Sequence, residues 1–260
     1  MSDAAGERTN RLRGHALSIL SVGVILIAWE AAARAKLVPD LFLPSVSAVL
    51  IALRDGIADG SLPLDLGVSL YRAFAGLLLA SFVGVAAGIA MARSTLIRWF
   101  LDPFVGLAFP APKIAFLPIF ILWFGIDHLS KIMLVAFSSV FPIIIATYSA
   151  AISVNPLLIW SSLSLGSSRP MIMWRVILPA CYPRIFAAFR VAVPVALITA
   201  FTAEMVAGGG GMGATLMYAQ RFFDSPTVFA YIVTMLAVGL AFDKAMLALR
   251  DRFPSWRESS

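Results

Sequence analysis

The 260-residue chain holds a single cysteine, Cys181. An intrachain disulfide and a cysteine-based metal site are therefore both excluded. The two histidines, His15 and His128, lie far apart and lack ligand spacing, so no metal site is expected. Charge is scarce as well, at 13% of residues, against roughly 25% in a soluble domain. No paired membrane aspartates, Ser/His pair or H-E-x-x-H helix is present, which argues against an intramembrane enzyme. The glycine run Gly208–Gly211 is not followed by Lys-Ser/Thr, and no G-x-x-x-x-G-K-[ST] occurs anywhere in the chain.

What the chain has is apolar length. Hydrophobic residues make up 60% and mean hydropathy is +0.92. This composition specifies an all-α, multi-pass membrane protein with no room for a sizeable soluble domain. Each span needs roughly 20 residues, and the sparse charges mark out about six. The spacing predicts helices over 15–34, 69–91, 104–125, 131–151, 186–207 and 228–249. The first has two readings. Arg8, Arg11 and Arg13 before an apolar run ending in Ala31-Ala32-Ala33 resemble a secretory signal. Trp29 and Glu30 fit a cleavage region poorly, and a retained helix is the expectation.

Orientation follows from the basic residues. With the N-terminus inside, Arg8, Arg11, Arg13, Arg93, Arg98, Arg169, Arg175, Arg184, Arg250, Arg252 and Arg257 fall on the cytoplasmic side. Only Lys36, Arg54 and Arg221 fall outside, so both termini are expected in the cytoplasm. The same bias accounts for the net charge of +6 without any nucleic-acid partner.

Several segments carry more than apolar length. Pro44-Ser45 precedes Val46, Val49, Leu50, Leu53 and Ile57, one helical face. That helix either lies on the outer membrane surface or packs on its own protein. The third span contains Pro110, Pro112 and Pro118 with Lys113 among them. Freed carbonyls in lipid need protein or a watered cavity, so this segment either lines a pathway or lets Lys113 snorkel to the interface. Glu204 is the lone acid of the fifth helix: a functional group or a residue at the hydrated interface. Thr199 and Thr202 lie on the same helix and either line a route or bond between helices. The glycine run is expected to be a turn into a short helix near 212–222.

The most patterned segment is the basic loop 152–185. Its arginines, Arg169, Arg175 and Arg184, have no acidic residue nearby in sequence. Gly166 can supply a turn, and Pro179 is expected to break the helix that follows. With Ile177-Leu178-Pro179, Gly166 resembles the cytoplasmic loop of ABC importer permeases, whose pattern is E-A-A, a glycine, then I-x-L-P. Other pieces, in order, resemble the permease family of nitrate, sulfonate and taurine importers. They are Leu43-Pro44-Ser45, Ser69-Leu70 with Arg72 and Gly76, Pro112 through Pro118 with Trp123-Phe124-Gly125, Ser130-Lys131, Ala203-Glu204-Met205, Gly211-Met212-Gly213 and Asp243.

The resemblance covers nearly the whole chain from the first helix onward, and it carries implications. The fold is that of a type I ABC importer transmembrane domain. Residues 1–68 supply the N-terminus, first helix and external amphipathic helix; 69–250 form the permease core; 251–260 form a cytoplasmic tail. A short helix near 157–167 would dock on a cytoplasmic ATPase, with Trp160, Ser161, Ser162, Gly166, Arg169, Ile177, Leu178 and Pro179 as its coupling residues. Trp160-Ser161-Ser162 stand where the family has Glu-Ala-Ala, so a salt bridge from that position is absent. Pro110, Pro112, Lys113, Pro118, Thr199, Thr202 and Glu204 are the candidates for the translocation route. The implied partners are a second permease copy, two ABC ATPases carrying ATP and Mg, a periplasmic or lipid-anchored binding protein, and membrane lipid. A homodimer is the simplest assembly, with a heterodimer second. This chain would bind no cofactor itself. The implied solute is a small anion-like compound of the sulfonate, taurine or nitrate type, and the implied location is the bacterial inner membrane. The competing function is a stand-alone secondary transporter or channel. Such folds show paired broken helices in two halves, whereas here only 104–125 is broken by proline.

Overall fold

A computed structural model of the chain describes residues 17 and 20–252. Arg8, Arg11, Arg13, His15, Arg257 and most of the tail 251–260 lie outside the described residues, as does the start of the first helix. The described residues are mostly helical, with no strand among them. In order they form α1 (20–34), α2 (Val46–Ala58), α3 (Ser61–Arg93), α4 (Thr95–Ala108) and a 3-10 turn (Lys113–Phe116). There follow α5 (Leu117–Phe124), α6 (His128–Ile152), α7 (Pro156–Ser164) and α8 (Arg169–Ile172), a π turn (Met173–Ile177), α9 (Leu178–Ala207), α10 (Met212–Arg221) and α11 (Ser225–Asp251).

Among the described residues, four helical stretches are long and apolar enough to cross a membrane: Ser61–Arg93, His128–Ile152, Arg169–Ala207 and Ser225–Arg250. A fifth arises if Thr95–Ala108 and Lys113–Phe124, bent by 101°, count as one broken span. The expected single helix over 104–125 is thus replaced by two. Pro110 and Pro112 cannot donate backbone hydrogen bonds, and their rings clash with the preceding turn. The helix therefore stops at Ala108 and restarts at Lys113. The expected cytoplasmic segment 92–103 is largely the start of α4, whose N-cap is Ser94, accepting from Ile97 N. The second span begins eight residues before its expected start. Asp59 Oδ1 accepts a 2.8 Å bond from Ser61 N and opens α3 there.

The chain gathers into two compact units, one built from residues up to Pro63 with Leu216–Thr234, the other from Leu64–Thr215 with Met235 onward. In the first unit, α1 is tied to the start of α2. Trp29 Nε1 donates to Pro44 O at 2.9 Å. Glu30 accepts from Ser47 N at 3.2 Å and from Ser47 Oγ at 2.9 Å. Along α2, Val49 is buried while Leu50 and Ile57 are exposed, so the helix packs on its own protein along part of its apolar face.

In the second unit α6 is the central helix, buried on several sides from Ser130 to Ala150. Small residues allow it that position, since they let backbones approach. On α3, a Cβ at Gly76 would lie 2.6 Å from Val135 Cβ. At Gly84 it would lie 2.8 Å from Ile143 Cγ2, and at Gly88 2.7 Å from Thr147 Cβ. With buried Ala80, these glycines form a period-four stripe. The helix α9 packs along α6 and carries buried Ala188, Ala192, Ala196, Ala200 and Ala203. Ala203 joins Leu117, Phe120 and Leu134 in one apolar cluster, which seats α5 against α6 and α9. The lower half of α11 is fastened by Arg190–Asp243 at 3.2 Å and by the Phe74–Phe242 ring contact at 5.1 Å.

Candidate functional site

The loop between α6 and α9 is a built structure. Asn155 Oδ1 accepts from Leu157 N at 2.9 Å and caps α7, with Pro156 in its first turn. The helix ends at Ser164, somewhat shorter than the expected 157–167. Gly166 follows with φ +79°, a conformation that costs other residues a Cβ–carbonyl clash. Ser167 N donates to Ser162 O at 3.0 Å, and Gly166 N donates to Leu163 O at 2.9 Å. This pair of bonds is a complete Schellman motif, and it satisfies carbonyls that the helix end would otherwise orphan. Ser168 Oγ then caps α8 by accepting from Met171 N.

Pro179 does not break the next helix. It sits in the first turn of α9, directly after the π turn Met173–Ile177, and Leu178 N donates to Met173 O five residues back. The widened turn absorbs the register that proline would otherwise disrupt. The helical path therefore continues from Arg169 to Ala207. Arg184 donates to Ser153 Oγ, which ties α9 to the end of α6 at the base of the loop.

The outward surface of this loop is apolar. Trp160 is 63% exposed and Leu165 85%, with Leu157, Leu158, Leu163 and Trp174 also open. Ser161 and Ser162 turn their hydroxyls back to Leu158 O. Arg169 and Arg175 are exposed beside them. Large exposed apolar residues grouped along one short helix, with exposed arginines following in the chain, make this loop a candidate interaction surface.

The other candidates do not converge on one point. Pro110 and Pro112 occupy the bend, and Pro118 occupies the first turn of α5. Lys113 is half-buried. It donates to Phe109 O at the C-terminus of α4 and lies 5.6 Å from the Phe109 ring and 5.7 Å from the Phe141 ring. A cation suits a helix C-terminus, where orphan carbonyls collect. Thr202 donates to Ile198 O of its own helix at 2.7 Å rather than to a neighbouring helix. Thr199 is half-buried on the same helix.

Glu204 is not at a hydrated interface. Its side chain and that of Arg72 are both fully buried, 2.8 Å apart. Glu204 Oε2 also accepts from Ser69 Oγ at 2.7 Å and from Gly213 N at 3.1 Å. Arg72 donates to Gly210 O and Gly209 O, both at 2.6 Å, and from Nε to His128 Nδ1 at 3.1 Å. Ser69 Oγ accepts from Met212 N at 2.9 Å. Asp65 accepts from Gly211 N at 3.3 Å and from Thr215 Oγ1 at 2.6 Å. Nearby, the fully buried Lys131 donates to Ile126 O at 2.8 Å.

Sequence reasoning singled out Glu204 and Arg72 separately and missed that they pair. The signal was there. Asp65, Ser69 and Arg72 are spaced i, i+4, i+7 and so share one face of an apolar helix, and a buried acid requires a cation.

Residues 70–253 match the family model "Binding-protein-dependent transport system inner membrane component". The chain is 34% identical to the taurine transport system permease protein TauC of Escherichia coli K12, over 92% of this chain and 89% of that protein. It is 30% identical to the putative aliphatic sulfonates transport permease protein SsuC of Bacillus subtilis 168, over 99% and 94%. A solved amino acid ABC transporter matches its fold with a TM-score of 0.64 at 16% identity, covering 77% of this chain and 98% of that one. An inward-facing structure of the MetNI methionine ABC transporter matches with a TM-score of 0.57 at 17% identity, covering 70% and 92%. The chain belongs to the inner membrane components of binding-protein-dependent transport systems: it is a permease subunit of the ABC importer class, and ATP hydrolysis is the work of a separate ATPase.

Proposed function

We propose that this permease imports a small sulfonate-type anion across a bacterial inner membrane, as a homodimer served by two ABC ATPases. The solute class rests on the named taurine and aliphatic sulfonate relatives. A periplasmic or lipid-anchored binding protein delivers the solute to the outer face. The basic bias toward one side supports cytoplasmic termini and a cytoplasmic loop 152–185.

The observation that carries the coupling mechanism is the exposed apolar surface of α7, held at a fixed angle by the Schellman turn at Gly166. Trp160, Leu157 and Leu163 enter a groove on the ATPase, and Arg169 and Arg175 meet its acidic rim. This arrangement substitutes for the glutamate that the family usually presents and that Trp160-Ser161-Ser162 lack. ATP binding draws two ATPases together and moves the two α7 helices with them. The push enters α9 through α8 and the π turn, while Arg184–Ser153 shares it with α6. The resulting rigid-body motion alternates access, and hydrolysis resets it. For the route itself, the bend Pro110–Pro118 with Lys113, and α9 through Thr199 and Thr202, line the passage. Lys113 offers a cation to the passing anion. Glu204 acts on the route from its buried pair with Arg72 at the end of α9.

The test is affinity purification from mild detergent with the ABC ATPases encoded in the same genome, using the native chain and one with residues 157–168 scrambled. A two-permease, two-ATPase complex that the scramble abolishes is the expected result. An isolated chain that carries solute into liposomes without any ATPase would overturn the reading.

A further inference from the structure

Four successive glycines, Gly208 to Gly211, all take positive φ, from +67° to +97°. No other residue type enters that region as freely, and none loses more conformational freedom when it is fixed there. The loop is nonetheless held from both sides. Its carbonyls at Gly209 and Gly210 are taken by the Arg72 fork. Its following N–H groups at Gly211, Met212 and Gly213 are taken by Asp65, Ser69 and Glu204 respectively. A Cβ on Gly211 would lie 2.5 Å from Glu204 Oε1, and one on Gly213 would lie 2.2 Å from Phe201 O. The close approach is therefore available to glycine alone.

The holders come from α3 and α9, which are separated by more than 130 residues in sequence. The Arg72–Glu204 pair that joins them has no solvent exposure. Pulling the two helix ends apart would strand both charges in an apolar environment, a far less favourable state than either the paired or the solvated one. Arg72 uses Nε, Nη1 and Nη2 at once, so small displacements also forfeit several bonds together.

The geometry points to Asp65, Ser69, Arg72 and Glu204 as positioning residues for transport. They fuse the end of α9, the first turns of α3 and the start of α10 into one block, so that motion delivered along α9 is not dissipated in the glycine loop. This rests on the proposed push through loop 152–185. The path from Arg169 to Ala207 spans 39 residues, roughly 58 Å at helical rise, and a pliable far end would defeat a lever of that length.

The test uses the full chain with its ATPase and binding protein in lipid nanodiscs and liposomes, comparing native protein with E204Q, R72K and S69A. Two quantities are read: amide exchange at Gly211, Met212 and Gly213, and ATP hydrolysed per solute imported. E204Q keeps shape but leaves Arg72 uncompensated. R72K keeps charge but loses the fork. Each is expected to raise exchange and ATP per solute together by about tenfold (of order 1.4 kcal/mol). S69A is expected to shift both two- to threefold, and it decides the matter where a stronger variant fails to fold. Variants that fold, with unchanged loop protection and unchanged ATP per solute, would overturn the proposal. So would a fall in transport with the ratio unchanged. If native protein shows no ATP-linked transport, the coupling mechanism fails separately, and the exchange measurement still decides whether these residues hold the loop.

Discussion

At the scale of single residues, a few positions admit no substitute. Gly166 takes φ +79° with open space around it, so any larger residue there meets strain rather than a clash with a neighbour. Forcing an L-residue into that region costs roughly 1–2 kcal/mol, enough to release the end of α7. Gly166→Val is expected to lower solute import at least tenfold while the melting temperature of the membrane fold changes little, as read by transport and thermal unfolding of the same preparation. Lys113 offers a second test. Lys113→Met removes the cation that meets Phe109 O and is expected to slow import of an anionic solute several-fold, with no change in solute affinity of the isolated binding protein. Gly166 was legible in sequence from its place ahead of Ile177-Leu178-Pro179. The Arg72–Glu204 pair was legible only in part: a lone acid within a span calls for a cation, but its members lie 132 positions apart and only the fold selects Arg72 by bringing α3 beside α9.

At the scale of elements, hydropathy located the apolar stretches but not their direction. The spans over 131–151 and 228–249 became His128–Ile152 and Ser225–Asp251, because charged or capping residues bound them in sequence. The stretch 104–125 reads as one apolar run with one lysine, and nothing in a hydropathy count conveys a bend of 101°. The prolines did convey it, through the hydrogen bonds they cannot make. Pro179 misled in the opposite sense, since a π turn accommodates it, and a π turn has no simple sequence signature. The glycine stripe of α3 gives the element-scale test. A side chain at Gly84 would enter space held by Ile143. Overpacking a tight core costs typically 1–3 kcal/mol, more where backbones touch. Gly84→Leu is therefore expected to lower the thermal midpoint in detergent clearly, whereas Gly106→Leu, with nothing within 4 Å, is expected to leave it nearly unchanged.

At the scale of the whole molecule, the sequence's scarcity of charge and abundance of apolar helix pointed to a multi-pass membrane protein, and the permease reading came from the family resemblance. The family match over residues 70–253 agrees with that reading. If loop 152–185 docks an ATPase as proposed, two ATPases need two such loops, and a symmetric pair of permeases is then the simplest assembly. The proposed solute class rests on resemblance alone, since no side-chain constellation in the sequence spells out a sulfonate site. On the proposed mechanism, ATP hydrolysed by a partner drives this chain through loop 152–185. The most direct measurement is uptake of a radiolabelled sulfonate such as taurine into liposomes containing the permease, its ATPase and its binding protein, with and without ATP, for the native chain and for the 157–168 scramble. The expected result is ATP-dependent uptake that the scramble abolishes. Uptake that proceeds equally without ATP, or survives the scramble, would contradict it.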